Sequence, residues 1–376
     1  MDRTKADTTK RRKLLFFIDN FGSGGAQRQL VNLLVGLRAR GNSCECVAYS
    51  RVGQMFSQQL EEARVAIHWI DRQSRFSFAA SREIRRRALS GEYHAIIVFL
   101  VMPAIYAEIG MLGCRSTRLI VSERSSFRFG KPSFVEWGSR QLHRVADVVT
   151  TNSHNQQVLL ERHCPWLRGK VRTIYNGYDL ERFRPRPRDT PFERLELVCV
   201  GRITEGKNIE CIVHALSDLK REGLNVRITL IGRLDDSRWA SGYYQHISDM
   251  IDNLGVGDRW RWLGERTDVA ELLPTFDGLL HSSHYEGLPN AVCEAMACGL
   301  PVLASRVCDH PRLIGEDERG WLFDPDNSSE MAARIKQLCF LSPQARAELS
   351  VRTRLYAEQT LSIEKMCVEY ESVIFS

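Results

Sequence analysis

The 376-residue sequence predicts an α/β protein of two domains, each built around a parallel sheet, and three observations support this. The chain is longer than a usual single domain. Short apolar runs alternate with amphipathic segments, which is typical of βαβ units. The alternation stops once, over residues 176–195, where Pro185, Pro187 and Pro191 stand among charged residues, as expected of a linker.

Apolar runs predict the strands, and segments of helical period predict the helices. In the first half we expect strands at Leu14–Ile18, Cys44–Tyr49, Ala66–Ile70, Ala95–Leu100, Leu119–Val121, Val148–Thr151 and Val171–Ile174, with helices at Ala26–Arg40 and Asn155–His163. In the second half we expect strands at Leu195–Val200, Arg227–Ile231, Trp260–Leu263, Gly278–His281 and Pro301–Ala304, with helices at Asn208–Arg221, Tyr243–Leu254, Val269–Phe276, Ala291–Cys298, Ser329–Leu341 and Leu361–Ile374.

These elements predict two Rossmann-like, doubly wound domains over residues 14–180 and 195–360, joined by a linker over residues 181–194. A C-terminal helix over residues 361–376 is expected to pack back towards the first domain. Ligands of open α/β sheets bind at the carboxyl ends of the strands. A cleft between two such domains is therefore the expected binding site.

Composition describes an ordinary globular protein, with 43% hydrophobic and 26% charged residues. No apolar run is long enough to span a membrane, and the basic, polar N-terminus does not resemble a secretory signal. The eleven cysteines are scattered without a CxxC pair. We expect buried thiols in the reducing cytoplasm, with a metal site as the alternative.

The net charge of +6 conceals an asymmetry between the two halves. Residues 1–184 contain 30 Lys and Arg against 16 Asp and Glu, a balance of +14, whereas residues 185–376 contain 22 against 30, a balance of −8. The basic residues include Arg85–Arg87, Arg115, Arg118, Arg124, Arg128, Lys131 and the tail Lys10–Lys13. The first half is expected to face an anionic partner, either a phosphorylated acceptor or a membrane surface. No recognition motif supports nucleic acid.

A glycine cluster, residues 22–25, follows the first strand and opens a helix. Glycines let backbone N–H groups approach an anion closely. The cluster fails as a dinucleotide fingerprint because Gln27 occupies the third glycine position. We favour a phosphate or sugar contact over a simple tight turn or a nicotinamide site.

A second loop, Gly201 to Asn208, follows the first strand of the second half. Arg202 and Lys207 flank its turn just before a helix, so two cations and the helix N-terminus can meet at one diphosphate. The loop lacks the Ser or Thr that a Walker loop uses for magnesium. The alternative is a pair of solvated basic residues.

The strongest signal is the segment from His281 to Val302, where a strand, a Gly-Leu-Pro turn and a helix ending at Gly299 follow one another. Glu286 lies in the turn and Glu294 lies about one turn into the helix. Each carboxylate can hold a pair of vicinal hydroxyls, and the free N–H groups near Asn290 and Ala291 face an anion. This set fits a sugar nucleotide.

Together with Asn176-Gly177-Tyr178-Asp179, these motifs resemble the family 4 retaining glycosyltransferases, from about Leu14 to the C-terminus. The resemblance implies the two-domain GT-B fold, with an N-terminal acceptor domain and a C-terminal donor domain. It implies that Arg202 and Lys207 bind the donor diphosphate, that Glu294 holds the ribose and that Glu286 contacts the transferred sugar. The expected donor-binding residues are Gly24, Gly25, Gly201, Gly287, Leu288, Asn290, Ala291 and Glu294, and the expected catalytic residues are Arg202, Lys207 and Glu286.

One departure concerns a histidine that many family members carry just beyond the fourth strand of the first domain. Here Met102 stands in that stretch, and His94 precedes the strand. Glu123 or Arg124, after the fifth strand, could supply the missing polar group.

Two possible metal sites are weak. Asp324-Pro325-Asp326 matches the Asp-x-Asp signature of transferases of another fold, but we expect it to shape a turn before a helix. His281 and His284 are spaced i, i+3 at a strand end, where a structural role or a donor contact is favoured over zinc.

The sequence therefore predicts metal-independent, retaining transfer of a sugar from a nucleotide-diphosphate-sugar to an acceptor hydroxyl, in cell-surface polysaccharide or glycolipid synthesis. The donor is a substrate, UDP-linked rather than GDP-linked, and no cofactor is expected. The acceptor is a saccharide or a lipid-linked saccharide, and the basic half is expected to place the enzyme on the inner membrane face. The alternatives are an epimerase or phosphorylase of the same fold, or a non-catalytic subunit that binds the sugar nucleotide.

Overall fold

The computed structural model describes residues 12–22, 24–51, 53–71, 78–124, 134–186, 193–233 and 238–376. The chain divides into two compact units, each with its own sheet. The first unit consists of Met1–Gly177 with Ile363–Ser376, and the second consists of Tyr178–Ser362. The predicted α/β class with two parallel sheets is confirmed.

The first unit contains a seven-stranded parallel sheet in the order β3-β2-β1-β4-β5-β6-β7. Its strands are β1 (Lys13–Ile18), β2 (Ser43–Ala48), β3 (Ala66–Trp69), β4 (Ala95–Phe99), β5 (Arg118–Glu123), β6 (Val148–Thr151) and β7 (Val171–Thr173). Its helices within residues 1–177 are α1 (Gly25–Ala39), α2 (Ser57–Glu62), α3 (Ala79–Leu89), α4 (Val101–Gly110), α5 (Phe134–Leu142) and α6 (His154–His163).

Both faces of this sheet are buried, which explains why its strands are uninterrupted apolar runs. Phe16 of β1 packs on one face with Leu30 of α1, whereas Phe17 packs on the other face with Ile84 of α3 and Tyr106 of α4. Successive side chains of a strand point to opposite faces, so the run fills two cores at once.

The second unit contains a six-stranded parallel sheet in the order β10-β9-β8-β11-β12-β13. Its strands are β8 (Leu195–Val200), β9 (Val226–Ile231), β10 (Trp260–Gly264), β11 (Gly278–His281), β12 (Val302–Ser305) and β13 (Gly320–Phe323). Its helices are α7 (Ile209–Arg221), α8 (Arg238–Asn253), α9 (Val269–Leu272), α10 (Asn290–Ala297), α11 (His310–Ile314), α12 (Ser328–Cys339) and α13 (Pro343–Thr360).

The last helix, α14 (Ile363–Ile374), belongs to the first unit. It packs against α1, and Tyr370 is fully buried with its ring stacked on Phe99 at the end of β4. The Tyr370 hydroxyl lies 3.2 Å from the Thr150 hydroxyl of β6. A segment distant in sequence therefore completes one core of the first sheet.

The structure differs from the sequence prediction in several places. The predicted helix Val269–Phe276 ends at Leu272 and continues as a short 3-10 turn, because Pro274 has no N–H group to extend an α-helix. Glu123 is the last residue of β5 rather than a residue beyond it. The sequence prediction omits β13 and helices α2, α3, α4, α5, α11 and α13.

The start of the predicted linker packs on the second unit. Phe183 is buried, and the Arg354 side chain donates hydrogen bonds to the carbonyl groups of Phe183 and Leu180. Pro187 and Pro191 lie outside the described residues. Among the helices that the structure describes, none has both the length and the apolar character needed to cross a membrane.

Candidate active site

A loop at the carboxyl edge of the second sheet carries the two cations that the sequence singles out. After β8 the chain passes through a short 3-10 helix, Glu205–Lys207, and enters α7. Asn208 makes this turn with a φ of 51°, and its side-chain amide donates to the Pro325 carbonyl at 2.6 Å. Arg202 is exposed and Lys207 is half-buried, so both side chains can reach a ligand.

The segment after β11 joins this loop through hydrogen bonds. The backbone N–H of His284 donates to the Gly206 carbonyl at 3.1 Å, and the Ser282 hydroxyl lies 2.7 Å from the Lys207 carbonyl. Gly201, Arg202 and Lys207 line a cavity of about 20 Å³ together with residues 281–283. That volume is room for about one water molecule.

Glu286 is the centre of a network that connects the two segments. Its Oε1 forms an ion pair with the Lys207 ammonium and accepts a hydrogen bond from the Ser283 hydroxyl at 2.8 Å. The His281 Nε2 lies 3.1 Å from the same oxygen. The Glu286 backbone N–H donates to the Cys308 sulfur at 3.0 Å. Two residues predicted to bind different parts of the donor are thus paired with each other.

The network fixes the protonation states of its members. Burial alone would raise the pKa of Glu286, but the His281 hydrogen bond and the Lys207 charge outweigh it and hold that pKa below its usual range. Burial lowers the pKa of His281. Burial next to His281 lowers the pKa of His310 to about 3, and its ring lies edge-on to His281 with centroids 5.2 Å apart. Glu286 is therefore ionised and both histidines are neutral at neutral pH.

Helix α10 carries the second predicted carboxylate. Gly287 and Leu288 form the turn before it, Pro289 is its N-cap, and Asn290 and Ala291 are its first two residues. The Tyr178 hydroxyl donates to the Asn290 side-chain oxygen at 2.7 Å. Glu294 lies one turn into the helix and is buried. Backbone N–H groups of a helix's first turn have no intrahelical acceptor, so they can bind an anion.

Two family models match the chain and together span residues 23–356. "Glycosyltransferase Family 4" matches residues 23–182, and "Glycosyl transferases group 1" matches residues 183–356. The chain belongs to glycosyltransferase family 4. The family predicted from the motifs is confirmed.

Curated relatives are similar at low identity. A protein of Escherichia coli K12, named for a glycosyltransferase role in colanic acid biosynthesis, is 29% identical over 219 residues, covering 56% of this chain and 52% of the relative. The chain thus matches about half the length of this relative. A Campylobacter jejuni protein, named as an N-acetylgalactosaminyltransferase acting on a diphospho-undecaprenol-linked sugar, is 24% identical over 95% of this chain and 99% of its own length.

Solved structures share the fold at lower identity. The HepE protein of Anabaena, crystallised with UDP and glucose, superposes with a TM-score of 0.80 at 21% identity, covering 97% of this chain and 100% of HepE. A lipopolysaccharide outer core galactosyltransferase superposes with a TM-score of 0.74 at 16% identity, covering 96% of this chain and 99% of its own length. These neighbours confirm the predicted GT-B fold.

The glycine loop of this family 4 chain lies in the first unit, after β1. Gly24 is the N-cap of α1 and Gly25 is its first residue, and both are exposed. The Asn20 side chain accepts a hydrogen bond from the Gly22 N–H at 2.8 Å. A Cβ on Gly24 would lie 2.1 Å from the Gln27 side-chain oxygen, so the glycine allows a close approach rather than a left-handed conformation. Ser23 lies outside the described residues.

The position without a histidine falls in the first turn of α4, where Met102 packs against the core. Of the two replacements considered, Glu123 is buried and lies 3.4 Å from both Arg140 and His143, so it does not face a ligand. Arg124 lies at the carboxyl edge of the sheet and is half-buried.

Sequence reasoning did not identify Ser283, Cys308 and His310 as parts of the network. Ser283 could have been found, because alternate residues of an extended segment share a face and it stands two residues from His281.

Asp324 stabilises a turn before α12, because its carboxylate accepts a hydrogen bond from the Asp326 N–H at 2.9 Å. His284 lies 3.7 Å from Asp326 and apart from the Glu286 network.

Proposed function

We propose that this chain transfers a sugar from a nucleotide-diphosphate-sugar to an acceptor hydroxyl with retention of anomeric configuration. The observation that carries this proposal is the joining of the Arg202–Lys207 loop to the Glu286 segment at the carboxyl edge of one parallel sheet. Membership of family 4 supports the same reaction class.

The residues have distinct roles in this proposal. Arg202 and Lys207 stabilise the charge that develops on the leaving diphosphate, in place of a metal ion. Glu294 holds the ribose hydroxyls, and Glu286 contacts the transferred sugar. Gly24 and Gly25 offer exposed backbone to the donor. The acceptor's proton goes to the leaving phosphate, so the transfer needs no protein base.

The donor is UDP-linked in this proposal, and the acceptor is a saccharide or lipid-linked saccharide of cell-surface polysaccharide or glycolipid synthesis. The HepE protein has been crystallised with UDP-glucose, which supports the choice of nucleotide. The names of the E. coli and C. jejuni relatives support the class of acceptor.

The experiment is incubation with UDP-sugars and GDP-sugars plus saccharide acceptors, followed by measurement of free nucleotide and of the product anomer by NMR. Lys207→Ala and Arg202→Ala should each lower turnover about 10²–10³-fold, the cost of one transition-state charge donor. Lys336→Ala is the matched control, because this lysine pairs with Glu222 at 2.8 Å on the same unit, outside the Glu286 network. Full activity in Lys207→Ala, inversion of the anomer or complete loss of rate in EDTA would each contradict the proposal.

We also propose that the first unit contacts an anionic leaflet, such as the inner face of the membrane. The basic residues that suggest this partner do not share one surface. Arg115 and Arg118 line a groove with Arg12 and Lys13 at the amino ends of β1 and β5, whereas Arg124 follows the carboxyl end of β5. Lys10, Arg11, Arg128 and Lys131 lie outside the described residues.

The surface that best fits this partner is the exposed side of α3. Arg82, Arg85 and Arg86 are exposed there, together with Phe78 and Leu89, which are 68% and 58% exposed. Basic and apolar side chains on one helix face are typical of contact with anionic lipid, at about 1 kcal/mol per basic residue. The double variant Arg82→Glu, Arg86→Glu should lose salt-sensitive sedimentation with anionic vesicles. Undiminished sedimentation would exclude this surface.

A further inference from the structure

Arg124 carries a positive charge that no described carboxylate neutralises. Its Nε donates to the Ser122 hydroxyl at 3.0 Å, and its Nη1 donates to the Asn176 side-chain oxygen at 2.6 Å. Its guanidinium lies over the Phe99 ring, 4.2 Å from the centroid. These three contacts are neutral and hold the group in one place. Within the part of the chain that the structure describes, no ion pair joins it to a carboxylate.

The carboxylate of Glu123, the residue before Arg124, lies close to two other groups instead. Glu123 is buried, and it lies 3.4 Å from the Arg140 Nε and 3.4 Å from the His143 Nε2. Partly buried cations are usually paired, as Arg87 is with Glu83 at 2.7 Å in the same unit. A rigid, half-buried arginine without a counterion is therefore an unusual arrangement, and it favours an anion supplied from outside.

The location of Arg124 is one where open α/β sheets bind ligands. The sheet order changes direction between β1 and β4, and ligands bind outside the carboxyl ends of the strands at such a switch point. Phe99 is the last residue of β4, so the guanidinium over its ring stands at this point. The glycine loop that follows β1 borders the same point.

A second polar group at this edge lacks a partner. Glu123 at the end of β5 is in register with Thr151 at the end of β6, and Asn152 follows directly. Asn152 is only 7% exposed, and no described residue donates a hydrogen bond to its side-chain oxygen. A buried amide oxygen without a donor is costly, and a ligand hydroxyl would satisfy it.

We propose that Arg124 binds a phosphate group of the acceptor, an inference that rests on the proposed glycosyl transfer. A guanidinium has five N–H donors, of which Ser122 and Asn176 take two, and the planar group suits a phosphate. The proposed transfer assigns the donor's phosphates to Arg202 and Lys207 of the second unit, which leaves the cation of the first unit for the acceptor.

The first test measures anion binding without turnover, by titrating inorganic pyrophosphate into the full chain. The number of binding sites should fall by one in Arg124→Gln, and by a further one when Arg202→Ala and Lys207→Ala are added. Arg144→Gln is the matched control, because Arg144 also lies over an aromatic ring, 4.7 Å from the Trp166 centroid. An unchanged number of sites in Arg124→Gln would overturn the proposal.

The second test measures transfer to a polyprenyl-diphosphate-linked saccharide. Arg124→Gln should raise the KM for this acceptor about 10- to 100-fold, as expected for a lost charged hydrogen bond, while the KM for the donor stays constant. Arg124→Lys should lie between the parent and Arg124→Gln, because it keeps the charge and loses the planar fork. A rise in the KM for the donor would overturn the assignment to the acceptor. Absence of transfer in the parent, with the pyrophosphate site intact, would refute the proposed function and leave Arg124 an anion-binding residue.

Discussion

The pairing of Lys207 with Glu286 predicts opposite effects of Glu286→Gln on nucleotide binding and on sugar transfer. In the proposed transfer, a diphosphate must draw the Lys207 ammonium away from the carboxylate with which it is paired. The variant removes this competition but keeps the size of the side chain. Binding of a nucleoside diphosphate should therefore become stronger, while transfer should fall because the contact with the sugar is altered.

The magnitude follows from the partial exposure of the pair. A hydrogen bond between charged groups contributes about 1.5–3 kcal/mol, and solvent screens pairs that remain accessible. The side chains of Lys207 and Glu286 are 27% and 15% exposed, so we expect about 1 kcal/mol, which is about fivefold in affinity. Loss of the same interaction should lower the Tm by about 2–4 °C.

The assay is titration calorimetry with UDP and GDP, together with turnover measurements. Glu286→Gln should bind nucleotide about fivefold more tightly and transfer sugar about 10²-fold more slowly. Lys207→Met should bind nucleotide more weakly than the parent. Ser283→Ala is the control, since it removes a neutral donor from the same carboxylate at 2.8 Å and leaves both charges in place. Equal losses of nucleotide affinity in Glu286→Gln and Lys207→Met would refute the division of roles.

Three further predictions concern the second unit. Glu294→Ala should weaken nucleotide binding by about 1.5–3 kcal/mol in the same calorimetry, and unchanged affinity would remove Glu294 from the site. Gly299→Ala should destabilise the protein by about 1–3 kcal/mol in urea unfolding, because φ is +69° and a Cβ would lie 2.7 Å from the Ser350 hydroxyl oxygen. Gly223→Ala is the control: its φ is +78° but its Cβ would meet open space, so it should lose only the stability that the backbone strain accounts for. Burial lowers the pKa of His310 to about 3, so between about pH 6.5 and pH 3 the unfolded chain binds a proton at this residue that the folded chain does not. Over this range the free energy of unfolding should decrease by about 1.4 kcal/mol for each unit by which the pH is lowered. His310→Asn should remove this slope, and an equal slope in the variant would contradict the prediction.

The strands could be predicted from the sequence because burial on both faces requires continuous apolar runs. Helix α13 could not, because its apolar residues point in several directions. Leu349 and Ala357 are buried, whereas Val351 and Leu355 are exposed. Helix α4 could not be predicted, because Pro103 stands in its first turn. The φ of 76° at Leu100, which separates β4 from this helix, is not apparent from residue type.

The candidate site could be predicted only where its residues stand close together in sequence. The turn and helix that carry Glu286 and Glu294 follow from glycine and proline positions over a short segment. The ion pair between Lys207 and Glu286 joins residues 79 positions apart, and residue type alone does not specify that distance. His310 and Cys308 follow a different strand, so only the order of strands in the sheet brings them to Glu286.

The protonation state of Glu286 limits the chemistry it can perform. Its pKa lies below the usual range although burial opposes ionisation, because His281 and Lys207 both favour the charged form. A carboxylate with a low pKa is a weak proton acceptor, whereas an effective general base has a pKa near the working pH. Glu286 is therefore suited to stabilise positive charge on a sugar and unsuited to deprotonate an acceptor hydroxyl. In the proposed transfer, the phosphate that Arg202 and Lys207 hold remains the group that accepts the proton.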